Sequence, residues 1–244
     1  MILFPTIASN WREKMDSIFK DVLDACRGLA AYGMGTGIGG QISIRVPGKE
    51  LMVSHAFDKT FEEMHEADIF AVDFEGNPVG TNKPVSIGIE FHHGIYRQRP
   101  DVNAIIHSHG FWATTQAALA RPLRIFANVT TPFYGKTCIS PNDDFASIGP
   151  ALGKEDIAIV IPWHGVITIG SGIAEAAAYH TTFDYGARQD LTLPADTPTM
   201  PEDQISEIAT MVNGTGYYNH TWELIRRTGQ ECYNGTRVFP RLIP

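Results

Sequence analysis

The sequence has few cysteines, no surplus of positive charge and no long apolar run, and each shortage closes off a class of protein. Its three cysteines, Cys26, Cys138 and Cys232, are scattered and odd in number. They make no disulfide framework and suit a reducing compartment. A net charge of −8 leaves no basic face for a nucleic-acid backbone, and no Lys/Arg block is aimed at a membrane surface. No apolar stretch is long enough to span a bilayer, and "MILFPTIASN" lacks the basic start of a secretory signal. The N-x-T triplets beginning at Asn128, Asn213, Asn219 and Asn234 therefore read as chance matches. A cytoplasmic protein with a small-molecule partner, and neither nucleic acid nor membrane, is the expectation.

What is present is apolar material for a sizeable core, 43% of 244 residues. Residues 10–32 predict a helix, because Trp11, Met15, Ile18, Phe19, Val22, Leu23, Cys26 and Leu29 recur at helical spacing. Asn10 with Glu13 reads as a capping pair and Gly33 as the stop. A glycine-rich loop at 33–40 leads to alternating strands near 41–46 and 51–55, joined at Pro47-Gly48. "FAVDFEGNPVG" reads as a hairpin turning at Glu75-Gly76-Asn77, and residues 86–100 as a helix ended by Pro100. "VNAIIHSH" is a strand, followed by a small-residue helix. Two short strands flank "PWHG" at 162–165, and a long helix spans about 172–191. Three prolines mark a linker in "TLPADTPTMPED", before a helix near 201–213 and a polar, aromatic tail. Hairpins mixed with helices predict a layered α/β/α domain with a largely antiparallel sheet. The expected division is a domain over 1–193, with 194–244 a C-terminal helix and tail packed on the same or a neighbouring subunit.

The histidines carry the chemistry. On a strand, His107 and His109 project to one side with Ser108 between them, which suits two imidazoles sharing an ion. Such a pair alone is equally well a strand decoration. His164, in the tight turn before Gly165, is a third candidate, and three imidazoles with an open position describe a catalytic metal site. His92 and His93 are adjacent on a helix, face different ways, and read as packing groups. His65 and His180 read as structural, and His55 ends a strand beside the glycine loop, where it can point into a site.

"SIGIEFHHGIYRQRPDVNAIIHSHG", followed some fifty residues later by "WHGVITIG", resembles the class II aldolase/adducin superfamily over roughly 12–190. The resemblance implies a three-layer α/β/α fold with a mainly antiparallel central sheet, and a homotetramer with sites near subunit interfaces. It also implies one divalent metal per subunit (Zn, Mn or Fe) on His107, His109 and His164. This chain departs from the family's sugar-phosphate aldolases in two places. Their proton-transferring glutamate falls at Gly88, and the acid from a neighbouring subunit falls near Asn128, with Tyr134 the nearest substitute. The phosphate cradle corresponds to Ile38, Gly39, Gly40 and Gln41, to Ser54-His55-Ala56 and to Ser86-Ile87. Ile38 and Ile87 make it drier, so a planar or aromatic acid suits it better than a sugar phosphate.

Decarboxylation asks least of the residues present, because a Lewis acid can absorb the electrons left by CO2 with little help. The sequence therefore predicts a carbon–carbon lyase, a decarboxylase of a hydroxylated aromatic or oxo acid. Gly39, Gly40, Gln41, His55 and Ser86 would bind the substrate, and His55 or Tyr134 would handle the proton. Three alternatives stand beside it: a non-heme Fe(II) oxygenase, an aldolase on a small sugar-type substrate, and an interaction module without catalysis. In the tail, Tyr217, Tyr218, His220, Trp222 and Arg226 read either as a substrate lid or as an arm for oligomer packing.

Overall fold

The computed structural model describes residues 6–35 and 37–238, with side chains from Lys14 onward. Helix α1 runs from Thr6 to Ala31. Asn10 thus lies inside α1 rather than before it, and the side chains of the expected Asn10–Glu13 pair fall outside the described residues. The stripe holds where side chains are described: Ile18, Val22, Leu23, Cys26 and Leu29 are all buried. Gly33 ends the helix at φ +77°, a conformation glycine adopts without strain.

Strands β1 (Gln41–Arg45), β2 (Leu51–His55), β3 (Ile69–Asp73) and β4 (Pro78–Val79) form a meander. Helix α2 (Ile89–Gln98) returns the chain to β5 (Ala104–Ser108), and α3 (Phe111–Ala117) follows it. After β6 (Thr137–Ile139) and α4 (Phe145–Ala151) come β7 (Ala158–Ile161) and β8 (Gly165–Gly170). Helices α5 (Ile173–Thr192), α6 (Glu202–Gly214) and α7 (Tyr217–Tyr233) complete the chain. One sheet holds eight strands in the order β4-β3-β2-β1-β5-β8-β7-β6, antiparallel except for the β6–β7 pair.

Strand alternation sorts the core into two faces. Ile42, Ile44, Ala104 and Ile106 pack under α1, α5 and α7. Ala158, Val160 and Val166 continue that face under α3 and α5. Ile105, Ile159, Ile161, Ile167 and Ile169 turn the other way, against Phe91, Ile95 and Tyr96 of α2 and Ile148 of α4. The mixed α/β layering matches the expected fold class.

The tail is the main departure. It is helix α7, and it packs on its own chain: Tyr218, Trp222, Ile225 and Cys232 are buried, and Arg226 Nε donates to the buried Asp24 at 3.1 Å. Three of the residues read as lid candidates, Tyr218, Trp222 and Arg226, are thereby committed to packing.

Candidate metal centre

The site forms where β5 ends against β8. His107 is the fourth residue of β5, opposite Gln41 on one side and Ile167 on the other. Its parity with Ile105 puts its ring on the α2 face of the sheet. His109 lies just past the strand, and His164 sits in the turn between β7 and β8. The Nε2 atom of His107 is 3.1 Å from Nε2 of His109 and 3.3 Å from Nε2 of His164. Sequence positions 57 apart thus converge on one point.

The rings present lone pairs there. His107 Nδ1 donates to the Val166 carbonyl at 3.1 Å, which leaves Nε2 bare. Burial, then the neighbouring His109 and His164, hold His107 well below the ordinary imidazole range, so it stays neutral. Burial and His164 push His109 the same way. Ring nitrogens crowded at this spacing are accommodated when a cation sits among them. Metal–nitrogen bonds of about 2.0–2.1 Å in tetrahedral array separate ligand nitrogens by roughly 3.3 Å, close to the spacing found. The donor set fits a divalent metal.

Two glycines allow this closeness. A Cβ on Gly165 would lie 2.7 Å from the Ser108 carbonyl and 3.2 Å from the His107 ring. A Cβ on Gly40, at φ +97°, would lie 2.7 Å from the His107 carbonyl. Behind the sheet, Ser108 is anchored separately. Thr168 Oγ1 donates to the Ala176 carbonyl and accepts from His180 Nδ1 at 2.9 Å. His180 Nε2 then accepts from Ser108 Oγ at 2.7 Å. His180, read from sequence as structural, fixes the residue between the two ligands.

Beside the triad, Gln41 Nε2 donates to Ser86 Oγ at 2.8 Å, and the Gly88 amide reaches the same oxygen at 3.2 Å. Gln41 Oε1 is buried with no partner among the described residues. A Cβ on Gly88 would lie 3.1 Å from three atoms of the Gln41 amide at once. The amide therefore lies flat over Gly88 and takes up the room of a side chain there. Gly88 precedes α2 rather than lying within it, and Glu90 turns away to accept from the Phe145 amide at 3.1 Å.

Two expected proton handlers are not brought to the triad. His55 shares the α1 face with Val53, opposite to His107. Its Nε2 accepts from the Ile42 amide at 3.2 Å and its Nδ1 donates to the Ala56 carbonyl at 3.0 Å, so neither nitrogen is left for a substrate. Tyr134 is half exposed beside α6 and shares a cavity of about 280 Å³ with Lys136 and Glu202, near the end of β7 away from His164. Bonding to the Glu202 carboxylate holds its phenol above the ordinary range. The sequence reading also missed Asp143, whose Oδ2 lies 3.7 Å from His164 Nδ1. It comes from a loop that carried no periodicity. Because His164 Nε2 faces the other rings, Asp143 stands behind the imidazole, where a carboxylate orients a ligand.

Residues 20–191 match the family model of the Class II Aldolase and Adducin N-terminal domain. The chain belongs to this family. An L-fuculose phosphate aldolase of Escherichia coli is 23% identical over 205 residues, covering 81% of this chain and 93% of that protein. The decarboxylase NovR of Streptomyces niveus is 30% identical over 164 residues, 62% of this chain and 58% of NovR. Among solved structures, L-fuculose 1-phosphate aldolase from Glaciozyma antarctica superimposes with a TM-score of 0.84 at 22% identity, covering 99% of this chain and 97% of that one. That agreement shows the family's fold. Both an aldolase and a decarboxylase lie among these relatives, so the family alone leaves the reaction open.

Proposed function

We propose that this class II aldolase/adducin member is a metal-dependent decarboxylase of a hydroxylated aromatic or oxo acid. The observation that carries the reading is the Gln41 amide lying over Gly88. A neutral amide holds the place where the resemblance puts a proton-transferring glutamate. Aldol cleavage needs such a group, worth about 10²–10⁴ in rate. Asp143 does not replace it, because it lies on the outer side of His164.

His107, His109 and His164 would hold a divalent ion, which would supply Lewis acidity to a substrate oxygen. The substrate's bond to its carboxyl carbon would break, with CO2 leaving and the electron pair staying on the substrate. A proton from water then ends on the carbon. The chain's part is to hold and orient. The Val166 carbonyl fixes the His107 ring, and the Asp143 carboxylate stands 3.7 Å behind His164 Nδ1 as a charge toward which that ring can turn. Gln41, braced by Ser86, offers an acceptor beside His107 for a substrate hydroxyl. Gly40 keeps the loop against the ligand strand.

The test is CO2 release from a panel of hydroxyaromatic and 2-oxo carboxylic acids by protein loaded with Zn, Mn or Fe(II), with oxygen uptake recorded. Release without oxygen uptake is expected. Cleavage of a sugar phosphate with no CO2 from any acid would overturn the reading in favour of an aldolase, and Fe(II)-dependent oxygen uptake in favour of an oxygenase.

A further inference from the structure

The turn that carries His164 breaks a local rule. The His164 amide donates to the Ile161 carbonyl at 3.1 Å, closing a four-residue turn with Pro162 second and Trp163 third. Trp163 has φ +61°. Proline at the second position with positive φ at the third describes a type II turn, whose third place suits glycine or asparagine. A tryptophan there is strained by its own Cβ. Burial does not offset the strain, because Trp163 is 79% exposed. Strain held at a residue next to a ligand, with no packing to account for it, points to function.

The surrounding segments show the same habit. Ile87, between Ser86 and Gly88, is 93% exposed, and Phe111, two residues after His109, is 58% exposed. Ile38 exposes 55% of its surface in the loop leading to Gln41. Each segment that delivers a ligand or a site residue thus presents one large apolar side chain to solvent. Three of these side chains are pure hydrocarbon and Trp163 offers a single indole N–H, too few donors for a phosphate dianion, whereas a planar ring would find an indole and a phenyl to lie against.

We propose that Trp163 is the specificity-determining wall of the site, on which the aromatic ring of the substrate stacks while its carboxylate and adjacent hydroxyl reach the triad. This rests on the decarboxylase reading and narrows its substrate to an aromatic acid. The indole is held out by the strained turn so that the ring meets a preformed surface.

Two variants separate ring from backbone. Trp163→Asn suits the positive φ and removes the ring, and Trp163→Phe keeps a ring. With zinc-loaded protein, calorimetry would measure binding of 2-hydroxybenzoate and of 2-hydroxy-2-methylpropanoate, which has the same donor pair without a ring. Trp163→Asn should melt at the same or a higher temperature. It should bind 2-hydroxybenzoate about three- to tenfold more weakly and the ring-free acid as wild type does, and Trp163→Phe should recover most of the loss. Equal losses for both acids, no loss for either, or no binding of 2-hydroxybenzoate by wild type would overturn the proposal. A fall in oligomer mass with both affinities intact would overturn it too, by assigning the exposed indole to a second copy. Selective loss of 2-hydroxybenzoate with no CO2 released from any acid would leave the stacking wall standing and remove the decarboxylase. CO2 release with a KM indifferent to Trp163→Asn would do the reverse.

Discussion

His164 is held from two sides, and each side makes a separate prediction. Gly165 lies so near the Ser108 carbonyl that a methyl group must push β5 and β8 apart at the ligands. Gly165→Ala should cost about 1–3 kcal/mol of stability, read as a lower urea midpoint, and should loosen metal binding with it. Asp143 acts on orientation alone. Asp143→Asn keeps the shape and removes the charge 3.7 Å from His164 Nδ1. Zinc affinity by competition with a chromophoric chelator should fall about ten- to hundredfold, with the melting temperature of metal-free protein unchanged. A shift in that temperature would show Asp143 to be structural. His107→Ala removes a ligand outright and should abolish both metal retention and activity.

Among elements, the decisive contact is between α1 and α7. A Cβ on Gly229 would lie 2.6 Å from the Gly28 nitrogen, and one on Gly28 would lie 2.4 Å from Ile225. The two backbones touch, which ties the C-terminal helix to the first helix of the domain. Gly229→Ala should destabilise by about 1–3 kcal/mol despite the better helix propensity of alanine. Gly214→Ala, with nothing within 4 Å, is the matched control and should be neutral or stabilising. A urea series on both variants checks the contrast; equal effects would mean that α7 is not clamped. This crossing was partly legible in the sequence. Tyr218, Trp222, Ile225, Gly229 and Cys232 repeat at helical spacing, but Gly214, Gly216, Gly229 and Gly235, with Asn219 and Asn234, disguise the segment as a tail. Strand β6 was not legible at all. Three half-buried residues carry no alternation, and only pairing with β7 defines them.

At the scale of the whole molecule, neutral histidines link stability to pH. Burial lowers His180 from the ordinary value of 6.5 to about 3. His55 and His92 are lowered for the same reason, His92 further by the charge of His55. As pH falls through 6.5, the unfolded chain takes up protons that these folded sites refuse. Stability present at neutral pH is therefore lost on acidification. The carboxylate of Asp68, held down to about 2 by Lys59 and Lys83 against the desolvation of burial, keeps its ion pairs until far lower pH. Urea midpoints should thus fall between pH 7 and 5, before Asp68 titrates. His180→Gln should flatten part of that slope; an unchanged slope would remove His180 from the account.

The sequence by itself determined the layered class, most of the helices and hairpins, the family and the three candidate histidines. Those features follow from periodicity, turn residues and a pattern local enough to read along the chain. Only the tertiary structure decided which polar groups lie around the histidine triad. His55 on β2 and His107 on β5 flank the same strand, β1, yet strand parity puts them on opposite faces of the sheet. Asp143 arrives from a loop, and Gln41 covers Gly88 from another element. Such meetings depend on how faces pack in three dimensions, which no spacing along the chain records.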